Sequence, residues 1–306
     1  MDVRCVAPTN DRCGEGAVWD ASADALYWCD IFRFLVHRYD QSTGAVRSWL
    51  FDEPVVALAL TTRPGELMVA LGSRLVLWRP ASDQRVDLGF RLPNYPGVRL
   101  NDGRPDPAGR FWVGSMQNNV KADGDLDLTV EGHFARPGQG VLVRVEVDGS
   151  HAVLRSQIGI SNTVCWSPDG RTFYFGDTLE NEIRAFDFDP ASGAISNDRP
   201  FFAGFGRGNP DGSCVDAEGY LWNCRFGGGC VVRVAPDGRI DRVVDLPATD
   251  ITTCTFGGRD LKTLFITSAN MRQHPGERLA GSLFALACDV PGLPEHRAAM
   301  IAPAAI

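Results

Sequence analysis

A unit that recurs six times constrains this chain more than any other feature. A polar turn leads each time into a short strand with an aromatic or aliphatic start: Leu26–Asp30, Leu67–Ala70, Phe111–Gly114, Phe173–Gly176, Leu221–Cys224 and Leu264–Thr267. The starts lie 41, 44, 62, 48 and 43 residues apart. A further strand follows, at Val36–Tyr39, Leu75–Trp78, Val141–Arg144, Ile183–Phe186, Val231–Val234 and Leu283–Leu286. Turns such as Asp148-Gly149 and Pro236-Asp237-Gly238 then lead to another strand. Sustained helical periodicity is almost absent. Four strands per roughly 45 residues, six times over, predict an all-β chain folded as a six-bladed β-propeller around a central channel. Two β-sandwiches would also be all-β, but they do not explain six similar units.

The repeat predicts one propeller domain over residues 1–306. Its last copy lacks an outer strand after Leu286, and Val3–Ala7 is expected to supply it and close the ring. The longest interval holds the polar, Gly-rich stretch from Met116 to Gly140, read as a long loop. Residues 117–139 are expected to lie over the channel mouth and shape specificity.

Composition narrows the partners. Of 306 residues, 44% are hydrophobic and 22% charged, and the net charge is −8, an ordinary globular balance. No basic patch stands out, which argues against nucleic acid and anionic membranes as partners; the expected partner is a small molecule, and the expected state a monomer. No run approaches the ~18 apolar residues of a spanning helix. No apolar stretch of a secretory signal follows Met1-Asp2-Val3-Arg4, so the expected compartment is the cytoplasm. The nine cysteines form no C-x-x-C pair and are read as reduced core residues.

Aligning the repeats on the turn residues Asp20, Thr61, Asp106, Ser167, Asp216 and Gly258 picks out a ring of positions five residues earlier: Glu15, Val56, Asn101, Asn162, Asp211 and Thr253. Each should start an innermost strand and face the channel mouth. One Asn or Asp there would be read as a turn cap. Four carboxylate or amide side chains at one depth read differently. Two carboxylates placed together repel unless a cation sits between them. Glu15, Asn162 and Asp211 form an all-oxygen set suited to one hard divalent ion, Ca²⁺, Mg²⁺ or Mn²⁺, with Zn²⁺ or Fe²⁺ also open. None of the five histidines lies at these positions.

The sequences around these positions are Gly14-Glu15-Gly16-Ala17-Val18-Trp19, Arg99-Leu100-Asn101-Asp102-Gly103, Ser161-Asn162 running on to Trp166-Ser167-Pro168-Asp169-Gly170, and Asn209-Pro210-Asp211-Gly212. From Cys13 to Ser268 the chain resembles the senescence-marker-protein/gluconolactonase (regucalcin-like) family of sugar lactonases. The resemblance implies a six-bladed propeller, a single metal and lactonase activity. It implies Glu15, Asn162 and Asp211 as metal ligands and Arg99 and Asn101 as substrate contacts. The family often carries an acidic residue shortly after the strand Phe111–Met116; here Gln117-Asn118-Asn119 stands instead. Asn119, Glu131 and His133 of that segment are candidates to line the pocket, with Asn119 as the third substrate contact.

The expected chemistry follows. A lactone carbonyl is a weak electrophile and water a weak nucleophile, and a divalent cation improves both. Asp211 is expected to take the proton of the attacking water. The planar fork of Arg99 suits sugar hydroxyls or a developing oxyanion, and Asn101 can donate to one oxygen and accept from another. No G-x-S-x-G elbow occurs. Gly227-Gly228-Gly229 reads as a turn, and Asp123-Gly124-Asp125-Leu126-Asp127 as a solvated loop rather than a calcium loop. The substrate expected is a sugar lactone. The other readings are a metal-dependent hydrolase of another ester or phosphotriester, and a calcium-binding propeller without turnover.

Overall fold

The computed structural model describes residues 2–127 and 135–301. Twenty-four strands fill six four-stranded antiparallel sheets, and no helix occurs among the described residues. Strand β1 (Val3–Ala7) comes first. Blade one is then β2 (Gly14–Asp20), β3 (Ala25–Asp30), β4 (Leu35–Asp40) and β5 (Val46–Leu50). Blade two is β6 (Val55–Leu60), β7 (Leu67–Leu71), β8 (Arg74–Arg79) and β9 (Gln84–Arg91). Blade three is β10 (Val98–Pro105), β11 (Phe111–Gln117), β12 (Gly140–Val145) and β13 (His151–Ile158). Blade four is β14 (Ser161–Trp166), β15 (Thr172–Asp177), β16 (Glu182–Asp189) and β17 (Ala194–Ala203). Blade five is β18 (Asn209–Val215), β19 (Leu221–Phe226), β20 (Cys230–Val234) and β21 (Ile240–Asp245). Blade six takes β22 (Ile251–Gly257), β23 (Thr263–Ser268) and β24 (Leu283–Ala287), and β1 pairs with β24 as its outermost strand.

The chain is therefore the six-bladed propeller that the repeat predicts. The first strands of the blades, β2, β6, β10, β14, β18 and β22, contact one another in a closed ring around the axis. Burial follows distance from that axis. β6 and β14 are buried along their whole length, while β5 and β21 each bury one residue. Inner strands, buried on both faces, read as continuous rather than alternating patterns. Their small residues, such as Ala57 and Ala59 on β6, suit the narrow end of the wedge. The second strands supply the bulk between blades: Trp28, Phe111, Trp112, Phe173, Trp222 and Phe265 are all essentially inaccessible. All nine cysteines are free thiols, eight of them buried, as their reading as core residues expects.

Each inner strand is interrupted near the channel mouth. The register against the second strand slips between Glu15 and Val18, Val55 and Ala57, Leu100 and Gly103, Asn162 and Cys165, Pro210 and Ser213, and Ile251 and Cys254. A bulge breaks the pairing and re-aims the side chains beside it. All six positions from the repeat alignment sit at such a bulge, which the sequence pattern does not reveal.

Candidate active site

The bulges gather their side chains into one cavity of about 390 Å³ at an end of the channel. Glu15, Arg99, Asn101, Asn119, Asn162 and Asp211 all line it. Val56 and Thr253, at the matching positions of blades two and six, do not.

Local backbone chemistry sets up each ligand candidate. Gly16, directly after Glu15, has φ of 61° and lies so close to blade two that an added Cβ would stand 3.1 Å from the Cα of Ala57. Its N–H donates to Glu15 Oε2 at 3.0 Å. Thr163, directly after Asn162, holds a φ of 56°, a strained region for a β-branched residue. Hydrogen bonding offsets the strain: its hydroxyl donates to the carbonyl of Asp211 at 2.6 Å and meets Ser213 Oγ at 3.0 Å. Gly212 leaves room for Thr253, whose Oγ1 would stand 2.1 Å from an added Cβ. Blades four, five and six are thus locked together beside Asp211.

The polar side chains form a chain of contacts. Arg99 donates from Nε and Nη2 to Asn119 Oδ1 at 3.2 and 3.0 Å, and from Nη1 to Asn101 Oδ1 at 2.7 Å. Asn101 Nδ2 donates to the carbonyl of Ser161 at 2.9 Å and to Asn162 Oδ1 at 3.2 Å. Asn162 Nδ2 donates to Thr178 Oγ1 at 2.8 Å, and that hydroxyl donates to the carbonyl of Pro210 at 2.8 Å. The network fixes which face of each amide is the acceptor. It also joins the set expected to hold a metal to the pair expected to hold substrate.

Electrostatics single out the two acids. Burial raises both Glu15 and Asp211 well above the usual carboxylate range, and the neighbouring Asp102 pushes both further. The two carboxyl groups hydrogen-bond each other, so they share a proton when no cation is bound. Among the described residues no Lys or Arg forms an ion pair with either, in contrast to the buried Asp30, Asp106 and Asp216. Arg99 is only 3% exposed and donates its hydrogen bonds to neutral groups, the Asn119 and Asn101 amides and the Leu100 carbonyl; burial lowers it to about 10 against the opposing pull of Cys13 and Glu15.

Two close, buried carboxylates and an amide oxygen fit a hard divalent cation, which could take the place of the shared proton. Among the described residues no group of three His, Cys, Asp or Glu side chains is placed to hold a metal, so a ligand set here would need a neutral oxygen beside the two carboxylates, and the Asn162 amide lines the same cavity. No described histidine lines the cavity.

Reasoning from the inner strands misses several lining residues. Thr178 orients Asn162, and Cys13 lines the cavity wall. Burial, with Glu15 close by, raises the Cys13 thiol well above its ordinary value, so it stays protonated. Thr178 follows the end of β15 as Ile31 follows β3 and Gly227 follows β19; extending the repeat alignment to the ends of the second strands would have found this layer. The 117–139 segment contributes Asn119, and Arg12 of blade one donates to its Gly124 carbonyl at 3.1 Å and Asp125 at 2.6 Å. Glu131 and His133 lie outside the described residues. The acidic run 123–127 forms a surface turn, and Gly227-Gly228-Gly229 turns between β19 and β20.

Comparison with known proteins places this geometry. The family described as the SMP-30/Gluconolactonase/LRE-like region matches residues 13–270. Regucalcin of Homo sapiens is 33% identical over 290 residues, covering 93% of either chain. The 6-deoxy-6-sulfogluconolactonase of Pseudomonas putida is 33% identical over 303 residues, covering 96% of this chain and 97% of its own. The crystal structure of a calcium-binding protein, regucalcin, from Agrobacterium tumefaciens matches with a TM-score of 0.88 at 28% identity, over 97% of each chain.

Proposed function

The chain belongs to the SMP-30/gluconolactonase/LRE-like family, and from that premise we propose that it is a metal-dependent lactonase that hydrolyses a sugar lactone to the corresponding aldonic acid. The observation that carries this reading is the convergence, in one cavity, of a buried carboxylate pair with a buried guanidinium hydrogen-bonded to neutral amides.

Glu15, Asn162 and Asp211 would hold one divalent ion. Bound there, the ion supplies Lewis acidity to the lactone carbonyl and to water. Asp211 accepts the proton of the attacking water as its oxygen bonds to the carbonyl carbon. Arg99 lies one amide away, linked through Asn101 to Asn162. Its fork of donors stabilises the negative charge that develops on the carbonyl oxygen, or fixes a ring hydroxyl. When the bond from the carbonyl carbon to the ring oxygen breaks, the proton held by Asp211 passes to that oxygen, and the product is a hydroxy acid. Asn101 and Asn119 hold Arg99 in its orientation before substrate arrives. The other reading, a calcium-binding propeller without turnover, has no use for a guanidinium beside its ligands, because the charge repels the ion.

The test is a pH-indicator assay on pentono- and hexonolactones, with chelator and after return of Ca²⁺, Mg²⁺, Mn²⁺ or Zn²⁺. Turnover that chelator removes and one of these ions restores is the expected result. Equal rates with and without chelator would sink the metal requirement, and no turnover of any sugar lactone would sink the substrate class.

A further inference from the structure

The cavity has two layers of opposite chemistry. The inner strands contribute the polar floor already described. Above it stand Ile31, Met116, Ile160, Leu179, Phe226 and Met271. Five of these lie at or just beyond the ends of second strands: Ile31 after β3, Met116 near the end of β11, Leu179 after β15, Phe226 closing β19 and Met271 after β23. Ile160 joins them from the approach to β14 and bridges to Met116. The collar thus draws on five of the six blades. Ile31 and Met116 are buried, but Ile160, Leu179, Phe226 and Met271 keep half-exposed apolar surface at the cavity. The charged side chain at this level is Arg272, which is paired with Asp250 and lies over the Phe226 ring at 4.7 Å.

A polyhydroxylated lactone satisfies only part of this surface. Its ring oxygens can reach the floor, but hydroxyls that project upward away from Arg272 meet aliphatic and aromatic carbon and lose hydrogen bonds to water without replacement. An aliphatic substituent gains there instead, since each methylene moved from water onto apolar surface favours binding. We propose that the cavity also takes lactones whose ring carries an aliphatic substituent, with the carbonyl at the polar floor and the substituent inside the collar. The proposal rests on the lactonase reading and uses the same step: water adds to the carbonyl carbon, the ring C–O bond breaks, and the product is a hydroxy acid.

The experiment is a series of γ-lactones bearing hydrogen, methyl, propyl or pentyl at the ring carbon next to oxygen. Each is assayed with the divalent ion that best supports turnover of a sugar lactone, and a pentonolactone is run in parallel. The kcat/KM is expected to rise roughly fourfold per methylene until the collar is filled, mostly through KM. Leu179→Asn and Phe226→Gln, each checked for an unmoved Tm, should flatten the rise. A flat or falling series beside a turned-over pentonolactone would overturn the collar proposal and leave the sugar lactonase reading standing. No turnover of any lactone would overturn both.

Discussion

Asp211 and Asp216 stand five residues apart in blade five, and both are buried. Asp216, in the turn after β18, is saturated. Its carboxylate accepts from the N–H groups of Glu218 and Tyr220 at 3.0 Å, the indole of Trp222 at 2.9 Å and Nε of Arg233 at 2.8 Å. Asp106 repeats the device in blade three, with the N–H of Ala108 and Arg110, the indole of Trp112 and Nε of Arg110. Asp211, at the cavity end of the same strand, has another acid for its side-chain partner and is driven toward its protonated form. One end of the inner strand spends its acid on holding the blade together; the other leaves its acid short of positive charge, and so able to take a cation or a proton. The difference teaches that burial of an aspartate says little here, while the charge of its partners separates scaffold from site.

The arginines divide in the same way. Arg225, 1% exposed, donates to the carbonyls of Arg207 at 3.1 Å and Gly208 at 2.6 Å and to Asn181 Oδ1 at 2.6 Å, and so ties down the loop before β18. It does not line the cavity, whereas Arg99 does.

The sharpest way to break the comparison is to neutralise each aspartate in turn. Asp211→Asn should lower kcat/KM for a sugar lactone by roughly 10³-fold or more, the scale of a lost general base, while Tm in chelator holds or rises because a strained buried acid is gone. Asp216→Asn should do the reverse. It weakens the acceptor that gathers the Glu218 and Tyr220 N–H groups, the Trp222 indole and Arg233, while Glu218 and Asp241 still pair with Arg233; the cost is about 2 kcal/mol of stability, read as a fall in Tm with the remaining folded protein still active. Equal losses of activity and Tm in both variants would mean that the two acids do the same job.

A smaller effect is expected from the arginines. Arg99→Ala should lower kcat/KM by roughly 10²-fold, about 2.7 kcal/mol of transition-state binding, with cation affinity steady or slightly raised. Arg225→Ala should instead lower Tm. Unchanged kinetics in the Arg99 variant, measured together with a metal titration, would remove its substrate role.

The smallest effect is a pH dependence of stability. Burial raises Glu15 in the folded chain above its unfolded value. For a raised acid the contribution to stability is full below the unfolded value, about 4.3, and is lost as pH rises through the folded value. In chelator, Tm should therefore drift down from pH 5 toward pH 8, and a divalent ion should cancel the drift by replacing the proton. Glu15→Gln should flatten the profile. A wild-type Tm that climbs over this range in chelator would show that the pair is not under strain.

Much of the scaffold was legible because strand and turn signals are local. Each second strand announces itself by an aromatic or aliphatic start after a polar turn, and six copies at similar spacing leave few folds to choose from. Counting back five residues from the turn found Glu15, Asn101, Asn162 and Asp211, because the distance along a strand is fixed by its rise per residue. Thr178 stayed hidden, since one threonine after a strand is unremarkable until Asn162 is seen to need an acceptor. The apolar collar stayed hidden too, since single apolar residues such as Ile31, Leu179 and Phe226 at strand ends carry no signal in the repeat.

The sequence by itself determined the number of blades, the order of strands within each, and which residues start the inner strands, because period and turn chemistry act between neighbours in the chain. Tertiary structure alone decided which of those residues share a cavity, that a bulge turns each toward the channel mouth, and that Arg99 meets Asn119 rather than an acid. Those outcomes depend on closing six wedges around one axis, which brings Glu15 and Asp211 into hydrogen-bonding contact from opposite parts of the chain. No local pattern encodes a contact made only when the ring closes.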